Sequence, residues 1–410
     1  MLIKNIISLL NVQLIGFLSP LLLMPIIIKV YGIENYGIFS FLYTTSYFLF
    51  IIIDYGFSLG AVKNVLYENF SNRVNSINTI ITCQLILIIF VFILFFCISY
   101  FGFFSKSDYK SYTHLIPMYC VCFWLNSIWF YQCVNELSLY SKFQTANKVS
   151  FLIISLVISN LGLEIIYIFY SFIFCGLIFG LSQLIHVKHK LNLKFNIVQL
   201  SNIRKQFCLN FSFFVSKLSI LSYTSAISIF IGFKFGAEFL GYYSVADKIR
   251  GAMQAYLIPI TQVLYPVITN MIVKKMFDTA KVYIIRCALV CCTIAVVAVI
   301  TINFLRLDIL NILGVDVNQH ILDVLFLLTL IVVPVSISNT VGKLIFIPYN
   351  FIKEFNYSLI FVSIITILSI YPISLLNDFK LFAYLYLSSE ILVCFVMLII
   401  LYQKRILNER

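Results

Sequence analysis

Long apolar runs recur along the whole chain and constrain its fold more than any other feature. A helix that crosses a bilayer needs about 20 mostly apolar residues, and short polar breaks separate runs of this kind. Composition agrees, because 62% of the residues are hydrophobic and only 11% are charged, unlike soluble domains. The sequence predicts an all-α polytopic membrane protein with about twelve transmembrane helices. The predicted spans are residues 6–30, 38–62, 77–101, 112–134, 149–161, 165–187, 207–233, 242–268, 282–304, 321–347, 357–376 and 381–402.

A short motif occurs twice, at residues 32–40 and 236–244, in a chain of 410 residues. Each copy holds Gly, Glu, Gly and Ser at the same spacing, and each follows a long apolar run. Such a repeat predicts two six-helix tandem halves around a central cavity. The motif itself has the composition of a tight turn between helices, with its Glu solvated at the membrane interface. Glu34 and Glu238 are therefore weak site candidates. The predicted organisation is an N-terminal half at 1–187, a basic cytoplasmic linker at 188–206, a C-terminal half at 207–402 and a cytoplasmic tail at 403–410.

The distribution of Lys and Arg predicts the orientation in the membrane. With the N-terminus inside, 17 of the 28 cations lie in cytoplasmic segments, 6 lie on the opposite face and 5 lie within spans. Cytoplasmic loops carry an excess of these residues, so both termini are expected in the cytoplasm. The run from Ile6 to Val30 is too long for a signal peptide and has no small-residue cleavage signature, so it is interpreted as a retained first span. The formal charge of +12 therefore reflects loops, and nucleic acid is not expected as a partner.

Several chemistries lack the residues they need. All eleven cysteines fall in apolar spans and are interpreted as small apolar fillers. His186 and His189 lie in a basic segment without a cysteine cluster nearby, so neither a metal site nor a cofactor is predicted. No interpretable Ser-His-Asp grouping and no phosphate-cradling Gly-rich loop occurs. The prediction is therefore a protein that is not an enzyme and does not hydrolyse ATP.

Charges inside the first half centre on Asp54, which follows an apolar run in the second span. An unpaired carboxylate there would cost several kcal/mol, so it should face a partner, face a cavity or bind a proton. The alternative is a helix-packing hydrogen bond, aided by the Gly56-x-x-x-Gly60 spacing. Lys63 lies on the opposite side of an ideal helix, near the cytoplasmic end, where it can extend to the interface.

Charges inside the second half cluster near the outer end of the eighth span. Asp247 and Arg250 have an i, i+3 spacing that allows them to pair, and Lys248 lies between them. Lys217 in the seventh span adds another cation. A cationic group shielded from water suits a ligand that carries phosphate. The alternative is that Lys248 extends outward and the other residues form local pairs.

The first two spans resemble those of bacterial O-antigen flippases of the Wzx type. These proteins belong to the multidrug/oligosaccharidyl-lipid/polysaccharide exporter superfamily. The resemblance rests on residues 31–40 and 51–58 and on Lys63, where the family often has Arg; the architecture is similar over the whole chain. It implies a carrier that moves an undecaprenyl-pyrophosphate-linked oligosaccharide across the bacterial inner membrane by alternating access.

The resemblance also implies partners and roles for the charged residues. The expected partners are the lipid-linked oligosaccharide, membrane lipids and other membrane proteins of polysaccharide assembly. Three alternatives remain, and one of them, a structural membrane scaffold, is disfavoured by the charges within spans. A multidrug or small-molecule antiporter of the same superfamily would bind hydrophobic cations, which an interior rich in Lys and Arg suits poorly. An O-antigen polymerase would need a large periplasmic loop, which the sequence does not show. Substrate binding is predicted for Lys63, Lys217, Lys248 and Arg250, and ion coupling or charge pairing for Asp54 and Asp247.

Overall fold

Helices form both compact units of the protein. A computed structural model describes residues 2–58, 60, 70–102, 108–126, 128–133, 136–191 and 198–404, and within these ranges no strand occurs. Backbone polar groups in lipid must bond within their own segment, and an apolar chain satisfies this requirement by forming helices. The first unit comprises Met1–Leu221 with Gly236–Leu240, and the second comprises Ser222–Phe235 with Gly241–Arg410.

Among the described residues, seven helices belong mainly to the first unit. The helix before the predicted linker ends at Leu191 and the next begins at Leu200, so both helices extend into the segment 188–206. Charged side chains at these ends can continue a helix beyond the bilayer, where water solvates them. The helices are α1 Leu2–Asp54, α2 Phe70–Tyr100, α3 Leu115–Leu125, α4 Trp129–Cys133, α5 Leu137–Asn160, α6 Ile166–Leu191 and α7 Leu200–Tyr223.

The second unit holds the remaining helices and a π-helical turn at Gly342–Phe346. Helix α9 begins with residues of the first unit and continues into the second. The helices are α8 Ser225–Phe235, α9 Ala237–Met253, α10 Leu257–Val273, α11 Phe277–Phe304, α12 Arg306–Leu313, α13 Gln319–Leu330, α14 Val332–Val341, α15 Ile352–Ser374 and α16 Lys380–Gln403.

Membrane crossings number eight by helix length and apolarity in the described residues, or nine if α7 and α8, which are bent by 41°, form one span. The count is below twelve because it merges predicted spans. The 41 residues Leu14–Asp54 of α1, for example, count as one crossing, although they include parts of two predicted spans. An α-helix of that length measures about 60 Å, twice the thickness of the bilayer core. The protein crosses the membrane several times, and the number twelve stays a prediction.

Both copies of the repeated motif begin with a glycine that breaks the helix. Gly32 has φ 86° inside α1, and Gly236 has φ 93° immediately before α9. Side chains other than glycine rarely adopt this region. At the second copy, the Asp108 carboxylate accepts a hydrogen bond from the backbone N–H of Ala237 at 3.1 Å. Glu34 and Glu238 are exposed, and both breaks agree with the interpretation of the motif as a tight turn.

Polar and apolar residues are distributed as a lipid solvent requires. Helix α2 exposes large apolar side chains, including Phe96 at 70%. Asp54, Gln84 and Asn210 are instead among the buried polar residues, at 1%, 0% and 0% exposure. Apolar surface facing lipid needs no polar cover, whereas polar groups must find partners inside the protein. Charged residues that bind a ligand are therefore expected in the interior of each unit.

Candidate functional site

The Asp54 carboxylate lies at a sharp break where α1 ends. Tyr55 and Gly56 follow it with φ values of 42° and 76°, which turns the chain back toward the carboxylate. Asp54 Oδ2 accepts hydrogen bonds from the backbone N–H of Gly56 at 3.2 Å and from Ser58 Oγ at 3.1 Å. Its side chain is only 2% exposed. These local donors hold the charged form in place, but they leave its charge uncompensated.

Lys217 of α7 supplies the compensating charge. Its Nζ lies 2.7 Å from Asp54 Oδ2, and it also donates a hydrogen bond to Ser58 Oγ. The lysine side chain is 24% exposed, so its stem is buried while its ammonium group occupies the polar site. Of the roles predicted for Asp54, the geometry shows a charge pair with a cation from another helix.

Close backbone approach makes this pair possible. A Cβ on Gly56 would lie 2.7 Å from Phe213 Cβ and 2.8 Å from the backbone N of Phe214. A Cβ on Gly60 would lie 1.7 Å from Asn210 Oδ1. A Cβ at Gly56 would overlap the backbone of α7, and a Cβ at Gly60 would displace the Asn210 side chain. Both helices therefore approach closely at these glycines, beside the ion pair.

Removing one member of this pair should destabilise the protein. Lys217→Ala leaves the Asp54 carboxylate buried without a cation, which costs about 3–5 kcal/mol. The midpoint of thermal unfolding of the purified protein in detergent should fall, and adding Asp54→Asn to Lys217→Ala should recover most of the loss. Lys205→Ala removes an exposed cation from the same helix and is the matched control. Equal midpoints for Lys217→Ala and Lys205→Ala would contradict the pairing.

Arg250 is the centre of a second polar cluster, which lies in the second unit. Its Nε donates a hydrogen bond to Asp247 Oδ1 at 2.9 Å, and its Nη2 forms an ion pair with the same oxygen at 2.7 Å, as the i, i+3 spacing predicts. Its Nη1 donates to Gln254 Oε1 at 2.7 Å. Its Cζ lies 5.1 Å from the ring centroid of Tyr386 in α16, within the range of a cation–π interaction.

Sequence reasoning missed Glu390, which lies one helical turn after Tyr386. Glu390 is 7% exposed and lies within electrostatic range of Arg250 and Tyr223. Arg250 therefore pairs with Asp247 and has a second carboxylate, Glu390, within electrostatic range. The rule that singled out Asp54, a lone carboxylate inside an apolar span, would also have found Glu390.

The remaining predicted cations occupy different settings. Lys248 is partly buried and lies within electrostatic range of Asp247 and Arg250. Lys63 lies outside the described residues. The structure therefore groups Asp54 with Lys217 in one unit, and Asp247 with Lys248 and Arg250 in the other. Among the described residues, no three His, Cys, Asp or Glu side chains form a group that could hold a metal ion.

The chemistry of the second cluster suits a ligand with oxygen acceptors. A guanidinium has five N–H donors, and the contacts to Asp247 and Gln254 use three of them. Two donors remain, and Arg binds phosphoryl oxygens in this planar geometry. At the first cluster, Lys217 is already engaged by Asp54 and Ser58. Arg250 is therefore the stronger candidate for contact with an anionic group.

Comparison with protein families identifies the chain. Residues 2–272 match the family described as “Polysaccharide biosynthesis protein”. The chain belongs to this family. A relative from Escherichia coli (strain K12) is 26% identical over 98% of this chain and 97% of its own length. A second, from Shigella dysenteriae, is 22% identical over 70% of this chain and 72% of its own length. Both are named “Putative O-antigen transporter”.

Solved structures show the fold of this polysaccharide biosynthesis family member. An inward-facing multidrug resistance MATE family transporter of the MOP superfamily has a TM-score of 0.75 at 10% identity, covering 97% of this chain and 98% of that one. The lipid II flippase MurJ in an inward closed conformation has a TM-score of 0.74 at 14% identity, covering 98% and 87%. The predicted resemblance to exporters of this superfamily and the all-α polytopic fold are confirmed.

The same comparisons bear on the class of protein. The relatives are named as transporters, and the similar solved structures are transporters and a flippase. The prediction of a membrane transporter of polysaccharide biosynthesis, rather than an enzyme, is confirmed. The predicted domain boundaries and the roles of the charged residues stay predictions.

Proposed function

We propose that this protein moves an undecaprenyl-pyrophosphate-linked oligosaccharide from the cytoplasmic to the periplasmic leaflet of the bacterial inner membrane by alternating access. The observation that carries the proposal is the Arg250 cluster in a member of the polysaccharide biosynthesis family. Its guanidinium lies among the helices of the second unit and has two N–H groups that the contacts to Asp247 and Gln254 do not use. A pyrophosphate is the part of such a lipid that needs a cation where water is scarce. Both termini lie in the cytoplasm in this proposal, in agreement with the distribution of Lys and Arg.

The charged residues receive different roles in this function. Arg250 and Lys248 contact the pyrophosphate or an acidic sugar. Lys217 contacts the headgroup only when Asp54 releases it, because both groups are now committed to each other at 2.7 Å. Asp54 and Asp247 act as charge-pairing residues that keep the cations in place until the ligand arrives. Lys63 keeps its predicted role in substrate binding at the cytoplasmic end.

Deletion of the encoding gene tests the function directly. We expect loss of long surface polysaccharide on electrophoresis, complete repeat units retained on lipid at the cytoplasmic leaflet, and rescue by the gene on a plasmid. If single repeat units still reached the cell surface and only their polymerisation failed, the protein would be a polymerase. If polysaccharide were unchanged while cells became sensitive to hydrophobic cations, the protein would be a multidrug antiporter.

A further inference from the structure

A stripe of aromatic side chains leads along α1 toward Asp54. Tyr43, Tyr47 and Phe50 are spaced at i, i+4 and i+7, which places them on one face of the helix. Asp54 follows Phe50 by four residues and continues the same face. The three rings and the carboxylate therefore form a row about 16 Å long, at 1.5 Å of rise per residue.

The rings face other helices of the first unit. Phe123 of α3 lies 5.1 Å from Tyr43, 5.6 Å from Tyr47 and 5.9 Å from Phe50 between ring centroids. Phe172 of α6 lies 6.0 Å from both Tyr43 and Phe123. Rings from three helices converge here, so this group lies inside the first unit. We call Tyr43, Tyr47, Phe50 and Phe123 the aromatic stripe.

Tyr47 is the most accessible member of the aromatic stripe. It is 38% exposed although it contacts two other rings. Its hydroxyl has no hydrogen-bond partner among the described residues. Tyr47 therefore presents an open ring face next to a hydroxyl that a ligand can bond, which indicates a place for a ligand that is apolar on one side and polar on the other.

The charge at the end of the aromatic stripe limits the class of ligand. A lone Asp54 would attract a hydrophobic cation, but Lys217 neutralises it at 2.7 Å. What remains is a neutral polar end, with Ser58 beside the ion pair. A polyprenyl tail would use the rings but neither the hydroxyl nor this end. A sugar ring uses all three, because its C–H faces pack on aromatic rings and its hydroxyls bond to polar groups.

We propose that the aromatic stripe binds the sugar rings of the transported lipid. This inference rests on the proposed function and adds the place where the glycan is recognised. It separates the two parts of the headgroup: the pyrophosphate needs cations, and the glycan uses Tyr47 and its neighbours in the first unit. Glycan binding here depends on ring area and one hydroxyl, so it tolerates different sugars.

Binding measurements on the purified full-length protein in nanodiscs test the proposal. The probes are undecaprenyl-pyrophosphoryl oligosaccharide extracted from the bacterium that carries the gene, bare undecaprenyl pyrophosphate, and tetraphenylphosphonium. Tyr47→Leu should weaken binding of the glycosylated lipid about three- to tenfold, the range of one aromatic contact, and leave the bare lipid unchanged. Tyr47→Trp should preserve binding of both lipids. Phe96→Leu, which removes an exposed ring of α2, is the matched control and should change neither.

Each of the other outcomes overturns the inference, and one of them also overturns the proposed function. Equal weakening of the glycosylated and bare lipids by Tyr47→Leu would show that the aromatic stripe contacts the lipid or its phosphates and would overturn the inference. No change with either lipid would also overturn it, provided that the thermal unfolding midpoint shows a folded variant. Loss of tetraphenylphosphonium binding alone would assign the aromatic stripe to cations. If the wild-type protein bound neither lipid, the proposed function itself would fail, and the inference with it.

Discussion

Replacing Arg250 with Ala is expected to reduce polysaccharide export about 100-fold or more. The guanidinium faces Asp247 at 2.7 Å and has Glu390 within electrostatic range. Removing it takes this cation away from both carboxylates, and breaking a buried pair in this way costs about 3–5 kcal/mol. The change also removes the two donors available to a phosphoryl group. Electrophoresis of surface polysaccharide in the deletion strain, complemented with the variant, measures the effect, and immunoblotting corrects for the amount of protein.

Three further variants separate charge, geometry and folding at this position. Arg250→Lys keeps the charge but loses the planar fork, so we expect an intermediate loss, about tenfold. Arg286→Ala removes an exposed cation from another membrane helix and should leave export unchanged. Adding Asp247→Asn and Glu390→Gln to Arg250→Ala should restore the unfolding midpoint without restoring export. Full export by Arg250→Ala at normal protein levels would refute the assignment of this residue.

Gly56→Ala is expected to destabilise the first unit more than any other single methyl group added at a glycine with positive φ. Its φ of 76° costs a non-glycine residue about 1–2 kcal/mol. The added Cβ would also lie 2.7 Å from Phe213 Cβ and 2.8 Å from a backbone nitrogen, and overpacking costs typically about 1–3 kcal/mol. Together these effects predict a loss of about 2–5 kcal/mol, seen as a lower thermal unfolding midpoint in detergent.

Gly162→Ala supplies the matched control for the Gly56 prediction. Gly162 also has a positive φ, 65°, but a Cβ there would meet nothing within 4 Å. The free energy of unfolding of Gly162→Ala should therefore fall only by the backbone cost of about 1–2 kcal/mol. The difference between the two midpoints measures how closely α1 and α7 approach. Equal midpoints would show that the approach beside Asp54 is looser than the structure indicates.

The sequence predicted most of the fold because the lipid environment leaves few choices. Long apolar runs must form helices, and all the predicted spans overlap helical segments. The breaks were harder to predict. The bend of 41° between α7 and α8 and the π-helical turn at Gly342–Phe346 depend on packing against other helices, which apolar runs do not encode.

The site could be predicted only where its contacts are local. Asp247 and Arg250 are three residues apart, so helical geometry alone predicts their pairing. Asp54 and Lys217 are 163 residues apart, and the sequence showed that each needed a partner without showing which one. Glu390 is visible in the sequence as a carboxylate in the last apolar span, but its relation to Arg250 depends on how α9 and α16 pack.

The separation of Asp54 from Lys217 has a consequence for biosynthesis. At about 5–20 residues per second, the ribosome adds Lys217 to the chain roughly 10–30 s after Asp54, because 163 residues separate them. During that interval the early span carries a carboxylate whose partner does not yet exist. The carboxylate must meanwhile be solvated by water or by the insertion machinery, or carry a proton, because lipid cannot solvate its charge. The first unit can therefore reach its final packing only after α7 is inserted, and the order of synthesis imposes a late step on its assembly.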